Sequence, residues 1–217
     1  MDFAVARRNM VECQLRTNKV TDERLLSAVS ELPREAFVPS SKNSLAYIDE
    51  DLEVSKGRYL MEPMAMARLI QAVQISENDS VLVIGAATGY MSAVAGKLGG
   101  PVFALESQED LAADASRALT DLALDNVVVV DGVLNAGCPA HAPFDVILFQ
   151  GAVEEIPTAI LDQLNEGGRM GAVIGTEGSV GRASLFWKQN GVVSDRVLFD
   201  ANIKNLPGFE KPKGFEF

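Results

Sequence analysis

Five short, uninterrupted apolar runs separated by helix-length segments constrain this chain more than any other feature. They lie at 80–85 (SVLVIG), 102–106 (VFALE), 127–131 (VVVVD), 144–149 (FDVILF) and 170–175 (MGAVIG). A strand with one wet face alternates apolar and polar residues; these do not, so both faces must be covered. Segments of helical period at 91–98, 111–124 and 157–164 supply the cover, which predicts a parallel sheet between helical layers. The last part breaks the pattern. Runs at 183–188 and 192–199 flank Asn190-Gly191, a strong short-range hairpin signal. The sheet is therefore expected to end in an antiparallel pair, which a plain dinucleotide-binding domain does not have.

The chain before the first run reads as helical to about residue 51. One helix is predicted over 3–16 and a second from Thr21 or Asp22, where Thr21-Asp22-Glu23 places a cap and acids at a helix N-terminus. Pro33 ends that helix. A loop is expected from 37 to about 63, and then a helix over 62–72 with Pro63 in its first turn. The segment 202–217 carries Pro207-Gly208 and Lys211-Pro212-Lys213-Gly214 among Phe209, Phe215 and Phe217, and reads as an irregular segment pinned by its aromatics. At 217 residues the chain is expected to form one domain: a helical segment and loop (1–62), an α/β core (63–200) and a tail (201–217).

A formal charge of −11 argues against phosphate backbones and anionic lipid as partners. The most apolar stretch, 81–98, is broken by Gly85, Gly89 and Gly96, so it reads as strand, turn and helix, not a membrane span. The N-terminal residues have no long apolar core and include Arg7, Arg8 and Arg16, unlike a secretory signal, and cytoplasm is the expected location. Cys13 and Cys138 form no CxxC or Cys/His set, so they are read as reduced thiols with no metal site. His141, the sole histidine, sits beside Pro139 and Pro143 and reads as structural or exposed, not catalytic.

Ligands of open α/β sheets bind at the carboxyl ends of the strands. The first run ends in Gly85-Ala86-Ala87-Thr88-Gly89-Tyr90 before a helix. A G-x-x-x-G spacing alone shapes a turn as readily as it cradles a ligand. The second run, however, ends in Glu106, 21 residues after Gly85, where an acid accepts from ribose hydroxyls. The third ends at Asp131-Gly132, where Asp131 is placed to meet an adenine amino group. Three polar features on successive strand ends favour a nucleoside site, and the missing G-x-G-x-x-G spacing argues against NAD.

The segments MVECQLR (10–16), LPREAFVP (32–39), AYIDEDLEV (46–54), VLVIGAATGY (81–90), VVVVDG (127–132), APFDVILF (142–149) and IP followed by DQLNEGGRM (156–170) resemble the protein-L-isoaspartate O-methyltransferases in order and spacing. The resemblance implies a Rossmann-like AdoMet-dependent methyltransferase fold. It also implies S-adenosyl-L-methionine (AdoMet) as cofactor, with S-adenosyl-L-homocysteine (AdoHcy) as product. The substrates implied are damaged proteins or peptides with isoaspartyl residues, methylated on the carboxylate as the start of repair. Gly85, Ala87, Gly89 and Tyr90 then fall on the cofactor loop, Glu106 on the ribose position, and Asp131 with Gly132 on the adenine side.

Three departures bear on the chemistry. Val83 stands where the family carries Glu, and Ala87 where its loop has a middle glycine. Each is expected to cost about 1–3 kcal/mol of cofactor binding, by analogy with an unmade charged hydrogen bond. Where the family reads GQTISQP, this chain reads Gly57-Arg58-Tyr59-Leu60-Met61-Glu62-Pro63. Tyr59 and Met61 thus replace hydroxyls that hold the substrate carboxylate, and Met61 cannot donate a hydrogen bond to it. Arg58 and Tyr59 are the candidate substitutes, and Glu62 adds negative charge beside them. The alternative reading is a methyltransferase-like binding module with lost or altered specificity.

Overall fold

The computed structural model describes residues 2–176 and 178–211. Its centre is a seven-stranded sheet in the order β5-β4-β3-β6-β7-β8-β9. These strands are β3 (Val81–Ile84), β4 (Val102–Glu106), β5 (Val127–Asp131), β6 (Phe144–Val153), β7 (Leu164–Ile174), β8 (Gly181–Gln189) and β9 (Val192–Ala201). β3 to β7 run parallel, and β8 and β9 pair antiparallel. The hairpin turns at Asn190 and Gly191, with φ of 53° and 74°. Positive φ at both central residues gives the turn a twist that matches the strands it joins.

Alternation along each buried strand feeds two cores. Val81, Val83, Ala104, Val146 and Leu148 face one core, with α2 (Glu23–Glu31), α3 (Pro63–Val73) and α4 (Tyr90–Leu98) packed over it. Leu82, Ile84, Leu105, Ile147 and Phe149 face the other, closed by α6 (Thr158–Asp162) and by Leu206 and Phe209. Phe209 meets Phe149 edge-on at 5.6 Å, so the irregular segment after β9 is pinned by an aromatic as expected. Phe215 and Phe217 lie outside the described residues.

The N-terminal segment is helical as the sequence predicts, with differences in detail. α1 (Phe3–Asn9) widens into a π-type turn over Met10–Leu15, which buries Met10, Val11 and Leu15. The cap of α2 is Asp22, not Thr21: its carboxylate accepts from the backbone N–H of Arg24 at 2.9 Å and of Leu25 at 3.3 Å. The expected loop over 37–63 contains a small antiparallel hairpin, β1 (Leu52–Ser55) and β2 (Arg58–Leu60). Its strands are too short and mixed in polarity to show a period, but Gly57 at φ +70° supplies the turn.

Chain order reverses between β3 and β6: β4 and β5 build outward on one side of β3, and β6 and β7 on the other. In open α/β sheets the crevice at such a point, at the carboxyl ends of the strands, is where ligands sit. Gly85 follows β3 there, and Gly151 lies in the last part of β6. The chain's own hairpin and tail reach into the same crevice.

Candidate active site

Glu106 ends β4 with no exposed surface, and its two carboxylate oxygens are fully engaged by the protein. Oε2 accepts from the backbone N–H of Ala87 at 2.7 Å, and Oε1 from those of Ser107 at 2.8 Å and Gln108 at 3.0 Å. Arg58, 1% exposed on β2, closes the set with a bidentate pair: Nη2 donates to Oε2 at 2.7 Å and Nη1 to Oε1. A carboxylate has about four lone-pair sites. Five donors leave no acceptor for ribose hydroxyls.

Gly85, at φ +74°, shows the same occupation one strand away. A Cβ at Gly85 would lie 2.6 Å from Leu206 Cδ2 and 3.2 Å from Arg58 Nη2. A Cβ at Gly151 would lie 2.7 Å from Leu206 Cγ. The two strand-end glycines therefore make room for a side chain, and Leu206 takes it. Backbone bonds hold Leu206 in place: its N–H donates to Ala152 O at 2.8 Å, and Ala152 N–H donates to Lys204 O at 2.9 Å.

The other cofactor-loop positions divide. Ala87 adopts the left-handed φ of +51° that a glycine would take without strain, and its N–H aims at Glu106. Gly89 serves packing: a Cβ there would stand 3.2 Å from Ala115 Cβ on α5 (Glu109–Asp121). Tyr90 turns away from the strand ends into the N-terminal layer, under the Arg34 guanidinium at 4.8 Å and edge-on to Phe37 at 5.3 Å. Burial pushes its phenol up to about 12. Asp131 is exposed at the end of β5, in register with Glu106, and Gly132 N–H donates to Glu106 O at 3.0 Å. Val83 is fully buried between Ala104 and Leu148, so an acid at this position would meet an apolar core.

The substrate-loop residues scatter. Met61 is 1% exposed in the core, so its side chain is not turned to a ligand, and its carbonyl accepts from Arg34 Nη2 at 2.8 Å. Tyr59 alone of the three candidates borders open space. It lines a groove of about 480 Å³ together with Gly57, Ser179, Asn202 and Lys204. Glu62 is half-buried ahead of α3, and burial together with the nearby Asp49, Asp51 and Glu50 raises its carboxyl to about 7. His141 is exposed and stacks on Phe103 at 4.3 Å. Cys13 is exposed and Cys138 buried, both free thiols. Among the described residues, no cluster of His, Cys, Asp or Glu is placed to hold a metal ion.

Three residues with a part in this site were not singled out by the sequence. Arg34, buried in the PREAF segment, ties Ala46 O at 2.7 Å to Met61 O and so fixes the hairpin's flanks. Asp51 accepts from Glu62 N–H at 2.9 Å and Lys204 N–H at 2.6 Å, joining loop, α3 and tail. Gln150, 2% exposed, precedes Gly151 and leaves both amide atoms without a partner. A polar residue inside the run FDVILFQGAV was the available signal for it.

AdoMet does not fit this conformation. The frame at Gly85, Glu106 and Asp131 is in place, but Arg58 takes up the Glu106 carboxylate and Leu206 lies against Gly85 and Gly151. By its fold the chain is of the AdoMet-dependent methyltransferase class. Its structure superposes on a protein-L-isoaspartate O-methyltransferase with a TM-score of 0.82 at 28% identity, covering 93% of this chain and 66% of that one. A β-aspartate methyltransferase from Plasmodium falciparum, solved with AdoHcy, gives 0.76 at 19% identity over 92% of this chain and 97% of that one, a likeness of fold. The family model for protein-L-isoaspartate(D-aspartate) O-methyltransferase matches residues 6–201. A protein-L-isoaspartate O-methyltransferase of Koribacter versatilis is 40% identical over 80% of this chain and 78% of its own length. One from Gloeobacter violaceus is 33% identical over 94% of this chain and 99% of its own. The chain belongs to the protein-L-isoaspartate(D-aspartate) O-methyltransferase family.

Two stability measurements follow from this geometry. Arg58→Ala and Glu106→Ala should each destabilise the ligand-free protein by about 3–5 kcal/mol in urea denaturation, since each strands a buried charge. The double variant should cost clearly less than the sum. Additive losses below about 1 kcal/mol would contradict the pair. Glu62 sets a pH dependence. Between its ordinary 4.5 and about 7 the folded chain keeps a proton that the unfolded chain has released, so this group lowers stability as pH rises through that window. Glu62→Gln should flatten the slope there and raise the midpoint at pH 8; an unchanged slope would rule the effect out.

Proposed function

We propose that this chain is an AdoMet-dependent protein carboxyl O-methyltransferase of the L-isoaspartyl (D-aspartyl) repair type. Its methyl acceptors are then damaged proteins or peptides with isoaspartyl residues, and its place of action is the cytoplasm. Family membership along residues 6–201 and the strand-end frame of Gly85, Glu106 and Asp131 support this reading. Among the described residues no helix is long and apolar enough to cross a membrane. Helical segment, sheet and tail are read as one domain, since Arg58 binds Glu106 on β4 and Asp51 binds the Lys204 N–H of the tail.

Carboxyl methylation asks the protein for positioning and for exclusion of water. An acceptor carboxylate is already a nucleophile at neutral pH and needs no general base, and effective concentration supplies most of the rate. The acceptor is assigned to the groove beside Tyr59. Met61 is in the core, and Arg58 becomes available to the acceptor only when it leaves Glu106. Tyr59 and Lys204 both line this groove and bring a hydroxyl and an ammonium to it, from β2 and from the segment after β9. They stand in for the hydroxyls that this loop lacks.

The test is transfer of labelled methyl from AdoMet to an isoaspartyl peptide, with the aspartyl isomer as control. The reading expects base-labile label on the isoaspartyl peptide alone. Lys204→Ala should raise KM for the peptide about tenfold or more, since a hydrogen bond to a charged group contributes about 1.5–3 kcal/mol. Equal labelling of the two isomers, or none on either while AdoHcy binds, would point to a different acceptor.

A further inference from the structure

Arg58 and Leu206 reach the strand ends from opposite ends of the chain and occupy adjoining parts of one site. Arg58 comes from β2, directly after Gly57 in the hairpin turn at φ +70°, and saturates Glu106. Leu206 comes from the segment after β9 and covers Gly85 and Gly151. The two contacts are joined twice: Arg58 Nη2 and Leu206 Cδ2 both crowd the same open face of Gly85, and Asp51 beside β1 binds Lys204 N–H at 2.6 Å. The closed arrangement leaves polar atoms unserved. Arg58 Nε and both amide atoms of Gln150 are buried without partners, a cost that stable interiors ordinarily avoid.

From this we propose that Arg58 and Leu206 form an internal stopper on the cofactor site. A ribosyl ligand reaches Glu106 only when the guanidinium leaves it. The inference rests on the methyltransferase reading for the identity of that ligand. Ligand and stopper use the same carboxylate, so binding is competitive with the Arg58–Glu106 pair. The measured affinity is then the intrinsic one reduced by the fraction of molecules that are open. Removing either half of the stopper raises that fraction.

Calorimetric titration with AdoHcy tests this on the 217-residue chain. Arg58→Ala and Leu206→Ala should each bind at least tenfold more tightly than wild type. Leu206→Ala leaves the ion pair intact and keeps the test alive if Arg58→Ala fails to fold. Hydrogen exchange on the wild type provides a second readout. Saturating AdoHcy should speed exchange at 57–61 and 203–207 while slowing it at 85–89. Equal affinity in all three proteins, or protection of all these segments at once, would overturn the stopper and leave the methyltransferase reading standing. No binding to any folded variant at millimolar AdoHcy would overturn both.

Discussion

A guanidinium and a carboxylate, both removed from water, face each other at the carboxyl edge of the sheet, and the state of the whole site depends on them. Neither charge is tolerable there alone. Taking a charge out of water costs several kcal/mol even after relaxation, and only a well-oriented partner offsets it. Arg58 and Glu106 have bidentate geometry, and three backbone N–H groups complete the carboxylate's shell. A buried pair of this kind is weak evidence of net stabilisation. It does hold one conformation against others, because a half-open arrangement leaves a bare charge inside. In the structure the hairpin is docked on β4 through this pair.

The neighbouring substitutions are consistent with that docked state. Val83 is packed on all sides by apolar strand neighbours, so restoring an acid there would bury a charge before it could serve a ligand. Ala87 keeps the backbone turn of the glycine it replaces and uses its N–H to orient Glu106. The PREAF and AY segments, which carry the resemblance most specifically, build the frame beneath. Arg34 holds two carbonyls and caps Tyr90, while Glu35 binds both Arg7, at 3.0 Å, and Tyr47. These residues fix where the hairpin sits without touching the strand ends themselves.

Much of the fold was legible in the sequence because its signals are local. The continuous runs marked the parallel strands, and Asn190-Gly191 marked the antiparallel close. Glu106 was placed correctly at a strand end for the same reason: its position follows from the length of its own run. What the sequence did not disclose depends on partners distant along the chain. Arg58 and Glu106 are 48 residues apart, and nothing in either neighbourhood names the other. Leu206 and Gly85 are farther still. The family resemblance placed Met61 in a ligand-facing loop, whereas the chain turns its side chain into the core after β2. The hairpin that carries Arg58 was hidden by its brevity, with strands of four and three residues.

The measurement closest to the central claim is a crystal structure of the 217-residue chain grown with saturating AdoHcy. The account predicts nucleoside density at the ends of β3, β4 and β5, with the Glu106 carboxylate turned to the ribose. Arg58 should have left it, and Leu206 should have withdrawn from Gly85. AdoHcy seated at those strand ends with the Arg58–Glu106 pair and Leu206 still in place would contradict the account.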